Sequence, residues 1–559
     1  MRICRLGVVL IVLVTAAVCQ TGTDQPLNLD QAVDRIIAQE QALLATLSNH
    51  TPLAETYIQE LTPDVELGLV PHRDHYFLSK AQVGAGINEI RFGRKNSKVG
   101  GILGKLKPST GMQYNSAGFL QGMVIDPAGF DRQHYDFNYV RREFLGDVRC
   151  LVFDVTPKPN SSAGRFKGRI WAEDQEYNVV RLSGVRVGAP KFRYYFHFDS
   201  WRVNVAPSTW LPAHIYSEET DVKYSLFKRA RLKAQTRLWG YELQRLNRPD
   251  ELGTITVEAP TEVADRSDTA QDLSPIQAVR AWHQQAEENV VEKLQRAGLL
   301  APTGEVEKVL STVINNLIVT NNLDIQPEVH SRVLLTSPLE SFNIGHTIVL
   351  SRGLIDVLPD EASLAMVLAH ELGHISLGHK ADAGFAFHDR LLFSDEETFR
   401  RMNFAHNPED EVAADKKALE LLKNSPYKDK LGEGGLFLRA LSARAKQVPN
   451  LVSAHLGNRL ALGEEAVRMP EVLNAAPALD LNKADQIAAL PLGARLKVDP
   501  WSNRLEMMKS KPVAGLAARD KMPFEVTPFV PHLTRKPAAE GTTPAAQVSR
   551  TETPQINNL

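Results

Sequence analysis

His370 and His374 stand four residues apart in the run Val367-Leu368-Ala369-His370-Glu371-Leu372-Gly373-His374-Ile375, behind the helix-start cluster Pro359-Asp360-Glu361. On an α-helix a four-residue step turns the side chain by about 40°, so both imidazoles leave one face and can bind a single Zn2+. Glu371, about 100° round from His370, can reach water on that metal. The chemistry implied is hydrolysis, with the metal as Lewis acid and Glu371 as general base. Leu364, Val367, Leu368 and Ile375 form an apolar stripe that includes the side carrying Glu371 and His374. Ionisable groups are therefore carried on an inward-packing face, where burial without partners is costly and a dication supplies compensation.

A hydrolytic zinc needs a third protein ligand and one position left for water. His379 is the next histidine, but nine residues from His370 puts it about 180° away on a continuous helix, which predicts a cap or surface residue. Leu377 and Lys380 occupy the places where a metzincin extension requires Gly and His. Further on, Asn407-Pro408-Glu409-Asp410-Glu411-Val412-Ala413-Ala414-Asp415 opens another helix, with Glu411, Asp415, Leu419 and Leu422 on one stripe. Two carboxylates at the head of an apolar face have the layout of a buried ligand, Glu411, and of a second carboxylate, Asp415, that holds a ligating histidine by its other ring nitrogen. The alternative is a set of helix-start acids favoured by the dipole, which suits Glu409 and Asp410 better than Asp415, a full turn further in.

These helices belong to a chain of 559 residues, enough for three or four domains. With 43% hydrophobic and 23% charged residues, 64 basic against 66 acidic, and a net charge of -2, it is an ordinary globular composition. No global charge excess points to nucleic acid or an anionic membrane surface. Arg2 and Arg5 precede the apolar run Leu6 to Val18, as in a signal peptide spanning residues 1–19, and no later stretch is long enough to span a membrane. The expected location is the bacterial periplasm or the medium, with a lipid anchor at Cys19 as the alternative. Cys150 is then left with at most one partner and is expected as a small buried hydrophobe.

Residues 20–54 carry an amphipathic helix, Leu29 to Leu47. Residues 55–257 form an antiparallel β-rich domain, with strands at Cys150–Val155, Gly168–Trp171, Asn178–Val187, Arg193–Val203 and Trp210–Ser217. Seven of the ten positions from Phe192 to Trp201 are aromatic or His, more than one buried face needs, so the sheet is expected to be covered on both sides or to expose an apolar concavity. Residues 258–275 read as a linker, 276–450 and 451–530 as the metal domain and its C-terminal part, and 531–559 as a disordered tail. In the metal domain, Ile276–Leu299 and Gly304–Leu323 read as helices, and Val333–Leu335 and Thr347–Leu350 as strands. The fold class is α+β: a mainly helical metal domain with a small sheet, after the β-rich domain.

Two resemblances add to this reading. The order of the β segments, with Gly168-Arg169-Ile170-Trp171, Asp174 and Trp210-Leu211-Pro212, resembles the half-barrel of bacterial lipoprotein-carrier and sigma-regulator sensor domains. His370-Glu371-x-x-His374 followed by Glu411-x-x-Ala414-Asp415, with Ser351-Arg352-Gly353-Leu354 ahead, resembles the HtpX-like and CAAX-prenyl-protease family of zinc metallopeptidases. The likeness covers about residues 280 to 510, and the chain is similar to the soluble periplasmic type of that family, which includes the β-barrel-assembly-enhancing protease. It implies a gluzincin fold, one zinc held by His370, His374 and Glu411, Glu371 as base, and an edge strand at Ser341-Phe342 that holds peptide substrate. Glu340 stands where the family commonly has Asn, and Asp499-Pro500 before Arg504 where it has His-Pro. His455 is then the candidate donor to the oxyanion. The function implied is hydrolysis of unfolded or misassembled envelope polypeptides. The competing function is a periplasmic chaperone or a module binding lipoproteins or unfolded proteins, with proteolysis secondary. A purely structural zinc site is disfavoured, because no fourth Cys or His lies at suitable spacing.

Overall fold

The computed structural model describes residues 28–92, 114–241, 275–380 and 403–508, apart from short gaps and residues 481–495, together with 526 and 532–536. The expected signal peptide, Cys19, residues 258–274 of the expected linker, Pro500 and residues 537–559 lie outside the described residues.

The first half is built on one antiparallel sheet of ten strands: β1 (Leu53–Asp64), β2 (Gly68–Val83), β3 (Ile87–Arg91), β4 (Tyr135–Leu145), β5 (Val148–Pro157), β6 (Phe166–Glu173), β7 (Val179–Arg186), β8 (Phe198–Ala206), β9 (Thr209–Lys223) and β10 (Arg229–Trp239). Their order is β3-β2-β1-β10-β9-β8-β7-β6-β5-β4, so β4 to β10 form a meander whose last strand returns to pair with β1. Helix α1 (Leu29–Ser48) lays Ala32, Val33, Ile36, Leu43 and Leu47 against Leu151, Phe153, Ile170, Val179 and Leu211 on one face. Cys150, Val152, Trp171, Val180, Trp201 and Trp210 form a second cluster, on the other side of those strands. The alternation Cys150, Leu151, Val152, Phe153 divides one strand between the two clusters, the period-two behaviour of a sheet buried on both sides. Coverage on both sides is thus what the aromatic excess reflects. Residues 194–197 of that stretch precede β8 rather than forming it; there Phe196 stacks on Phe119 of the short helix α2 (Ser116–Leu120) at 5.0 Å.

The second half carries α3 (Pro275–Arg296), α4 (Glu305–Thr320), α5 (Arg352–Val357), α6 (Glu361–Leu377), α7 (Pro408–Lys423) and α8 (Leu431–Ala445) around a four-stranded sheet. That sheet has the order β11 (His330–Leu334), β13 (Thr347–Ser351), β12 (Glu340–Ile344), β14 (Asn458–Arg459). Every residue of α6 from Ala362 to His374 is buried, so the expected stripe on one face is a helix enclosed all round. Such a helix can hold ionisable side chains only where other elements bring them partners. None of the described helices is long and apolar enough to cross a membrane.

The two halves share a core. Leu53, Tyr57, Tyr216 and Trp239 of the large sheet belong to one apolar cluster with Val306, Leu310, Val333, Phe342 and Leu368. At their seam Glu55 lies directly across from Arg237 in the β1–β10 ladder, and its carboxylate accepts the Ser337 backbone N–H at 2.5 Å and the Ser337 hydroxyl at 2.9 Å. The expected disordered tail needs a correction: His532 to Lys536 lie against the large sheet, with Leu533 buried among its tryptophans. A single leucine in a polar segment carries too little apolar signal to reveal such docking from sequence.

Candidate metal centre

Helix α6 starts where Asp360 accepts the Ser363 N–H at 2.7 Å and stops at Gly378, whose φ of 72° places it in the left-handed region that favours glycine. Helix α7 is opened by Asn407, which accepts the Asp410 N–H at 2.8 Å, with Pro408 in its first turn. The helices cross closely at Gly373, where an added Cβ would lie 2.9 Å from the Ala414 carbonyl oxygen. The two small residues inside the motifs let the backbones approach, and that approach brings Glu411 to the imidazole pair.

Three ligand atoms converge there. His370 Nε2 lies 3.1 Å from His374 Nε2, and the Glu411 carboxylate oxygens lie 3.4 Å from the first and 3.5 Å from the second. Tetrahedral zinc with nitrogen and oxygen ligands at about 2.0–2.1 Å has ligand-to-ligand edges of about 3.3 Å, so this triangle has the size of one face of such a site. Asp415 Oδ1 is 2.9 Å from His370 Nδ1; a carboxylate only accepts, so Nδ1 carries the proton and Nε2 presents its lone pair inward. Asp415 is itself held by the Met469 N–H at 3.1 Å. Two buried imidazoles and a buried carboxylate facing one another in this way fit a divalent cation.

Glu371 is fully buried, and its Oε1 accepts the Ser341 hydroxyl at 2.6 Å; Oε2 has no hydrogen-bond partner among the described residues. A carboxylate tethered by one oxygen with the other open is arranged to take a proton from something that is not protein.

Sequence reasoning missed two histidines here. His379 lies one residue past Gly378, so the chain has left the helix and its Nδ1 sits 2.9 Å from His374 Nδ1 instead of on the far side. Its Nε2 is 3.5 Å from Asp410, and burial outweighs that carboxylate to push its pKa below the usual value. His406 stacks on the His374 ring at 3.9 Å, its Nε2 is 2.9 Å from Asn343 Oδ1, and burial followed by the neighbouring His374 lowers its pKa to about 4. The Gly378 stop was the available signal for His379, whereas nothing in the local spacing points to His406.

Ser341 lies beside Glu371, but the edge strand expected at Ser341-Phe342 needs correcting at its first residue. β13 is interior, and β14 pairs with β12 at Glu340 and Ser341. The reason is Glu340, whose Oε2 accepts the N–H groups of His455, Leu456 and Gly457 at 2.9, 2.9 and 3.3 Å and so draws the chain alongside β12. Phe342 is fully buried and stacks on Phe404 at 4.6 Å. His455 is exposed and packs its ring 4.6 Å from Tyr76 of the large sheet; no described contact joins it to the three ligand candidates.

Comparison with known proteins agrees with this geometry. Residues 305–389, which contain both histidines and Glu371, match peptidase family M48, and this supports a metallopeptidase. No curated protein sequence matches the chain. Among solved structures, a LolA superfamily protein from Nitrosomonas europaea is similar over 36% of this chain and 92% of its own, at 13% identity and a TM-score of 0.19. A putative outer membrane lipoprotein-sorting protein domain from Vibrio parahaemolyticus is similar over 38% and 91%, at 11% identity and a TM-score of 0.20. A DUF1329 family protein from Desulfovibrio piger is similar over 37% and 90%, at 9% identity and a TM-score of 0.20.

Proposed function

We propose that the chain is an exported zinc-dependent metalloendopeptidase of the HtpX-like type, cleaving unfolded or misassembled envelope polypeptides in the periplasm. The observation that carries this reading is the buried triangle of His370, His374 and Glu411, with the half-open Glu371 carboxylate on the same helix. His370, His374 and Glu411 would hold the zinc. When bound, the metal supplies Lewis acidity that polarises a scissile carbonyl and makes water a nucleophile near neutral pH. Glu371 takes the proton from that water and delivers it to the leaving amine, Ser341 fixes its orientation, and Asp415 fixes the His370 tautomer. Of the expected substrate strand, Ser341 is taken up by β14 and by Glu371, so peptide would be met by the main chain of β12 from Phe342 onward, where the Phe342 ring is engaged by Phe404. His455 remains the proposed donor to the oxyanion only if substrate draws its loop inward. The β-rich half serves in this reading as a carrier-like domain joined to the peptidase.

The test pairs metal content with cleavage of unfolded casein by the purified chain. About one zinc per chain and loss of cleavage on chelation are expected. Glu371→Gln is expected to keep the zinc and to lower kcat/KM by about 10²–10⁴-fold. Undiminished cleavage by that variant removes Glu371 from the mechanism.

A further inference from the structure

Residues 532–536 lie against the tryptophan-lined side of β5 to β9, in an apolar cluster separate from the one around the candidate metal centre. Leu533 fills a pocket of Trp171, Trp201, Trp210, Val148 and Val180. Its carbonyl accepts the Asp147 N–H at 2.9 Å in the turn between β4 and β5. At Gly146 in that turn, with φ of 63°, an added Cβ would lie 2.6 Å from the Leu533 carbonyl oxygen, so the turn is shaped for a backbone lying on it. Two residues on, the Arg535 guanidinium lies 2.7 Å from Glu173, whose side chain is fully buried, and 5.9 Å from the centre of the Trp210 ring. The Lys536 N–H donates to Asn204 Oδ1 at 2.8 Å. An aliphatic pocket, main-chain acceptance in register and a buried carboxylate for an arginine are the parts of a peptide-recognition site.

Residues 532–536 bring no acceptor to two donors of that site. The indole N–H groups of Trp201 and Trp210 are buried and have no acceptor among the described residues. A buried donor left without an acceptor is unfavourable. A ligand that brings carbonyl oxygens to them gains what the resident segment forgoes.

We infer that the face of β5 to β9 is a recognition cleft for an extended segment of a client polypeptide carrying an aliphatic residue and, two positions later, an arginine, and that Leu533-Thr534-Arg535 occupies it as an intramolecular competitor. The inference does not rest on the metal site, and its failure would leave the hydrolase reading untouched.

The experiment uses the full chain carrying Leu533→Asp and Arg535→Glu, which detaches the resident segment without deletion. A fluorescein-labelled peptide of residues 529–538 is titrated by anisotropy. Saturable binding is expected, at least tenfold tighter than to the unaltered chain, lost when the peptide carries the same two substitutions and weakened about tenfold when Glu173→Gln is added to the protein. Absence of binding by a variant that keeps the circular dichroism of the unaltered chain overturns the inference, as does equal binding of the doubly altered peptide. If the variant does not fold, the unaltered chain is titrated to millimolar peptide: saturable binding lost with the altered peptide supports the cleft, and no binding rejects it. Concentration-dependent dimers of the unaltered chain, abolished by Leu533→Asp, would make a second copy the occupant and overturn the client reading.

Discussion

Two buried carboxylates in this molecule are handled in opposite ways. Glu55, at the seam between the halves, faces Arg237 at 3.3 Å and Arg352 at 3.9 Å and accepts from Ser337 and from the Tyr76 hydroxyl at 3.0 Å. Its charge is neutralised by protein. Glu411 is buried to a similar degree, but its carboxylate oxygens face the Nε2 atoms of His370 at 3.4 Å and His374 at 3.5 Å, and the His370 nitrogen offers an electron pair itself. The second arrangement is that of a group able to hold a cation from outside the chain, whereas the first is closed by the protein's own cations.

The sharpest way to break this contrast is to neutralise each carboxylate in turn and unfold the metal-free chain in denaturant. Glu55→Gln leaves Arg237 and Arg352 buried without their counter-charge and is expected to cost about 3–5 kcal/mol. Glu411→Gln keeps the two imidazoles and is expected to cost the metal-free chain less than Glu55→Gln does, while abolishing zinc retention. Equal losses in the two variants would mean that Glu411 is a structural partner.

A smaller effect sharpens the metal side. Asp415 touches the candidate ligand set through His370 Nδ1. Asp415→Asn is expected to lower zinc affinity about 10–100-fold by chelator competition, with little change in metal-free unfolding.

On the seam side, His214 lies opposite Arg237 in the β9–β10 ladder, and burial, followed by the charges of Arg237 and Arg352, lowers its pKa to about 3. The native chain therefore keeps this imidazole neutral while the unfolded chain takes up a proton below about pH 6.5. Stability that is full above pH 6.5 is lost as pH falls towards 3, by about 2 kcal/mol at pH 5 from this group. His214→Gln is expected to flatten that part of the urea-midpoint profile between pH 7.5 and 5; an unaltered slope would assign it to other groups.

The same two regions show what can be read from a sequence and what cannot. The metal cluster was legible because its parts are local: the histidines lie one turn apart on α6, Glu411 and Asp415 one turn apart on α7, and the apolar residues around them mark inward faces. The seam was not, because Glu55, Arg237, Ser337 and Arg352 come from four separate segments. β1 was also missed as a strand, since Leu53 to Leu61 is buried on both faces with Glu55, Gln59 and Glu60 among them, which erases the alternation that marks a half-buried strand. The meander from β5 to β9 was recovered because turn residues separate strands that carry β-branched and aromatic residues.

The smallest effect tests the boundary between local and non-local information. His379 was placed on the far side of a continuous helix, yet Gly378 ends α6 and turns it back to His374. Gly378→Ala meets no steric neighbour, so its cost is the left-handed backbone alone, about 1 kcal/mol. If the helix instead runs on in that variant, His379 swings away from His374, and zinc affinity falls a few-fold without loss of the ligand set. His379→Ala then lowers affinity by the same factor, and combining the two adds nothing further. Additive losses would show that the glycine acts on α6 itself and not through the histidine that follows it.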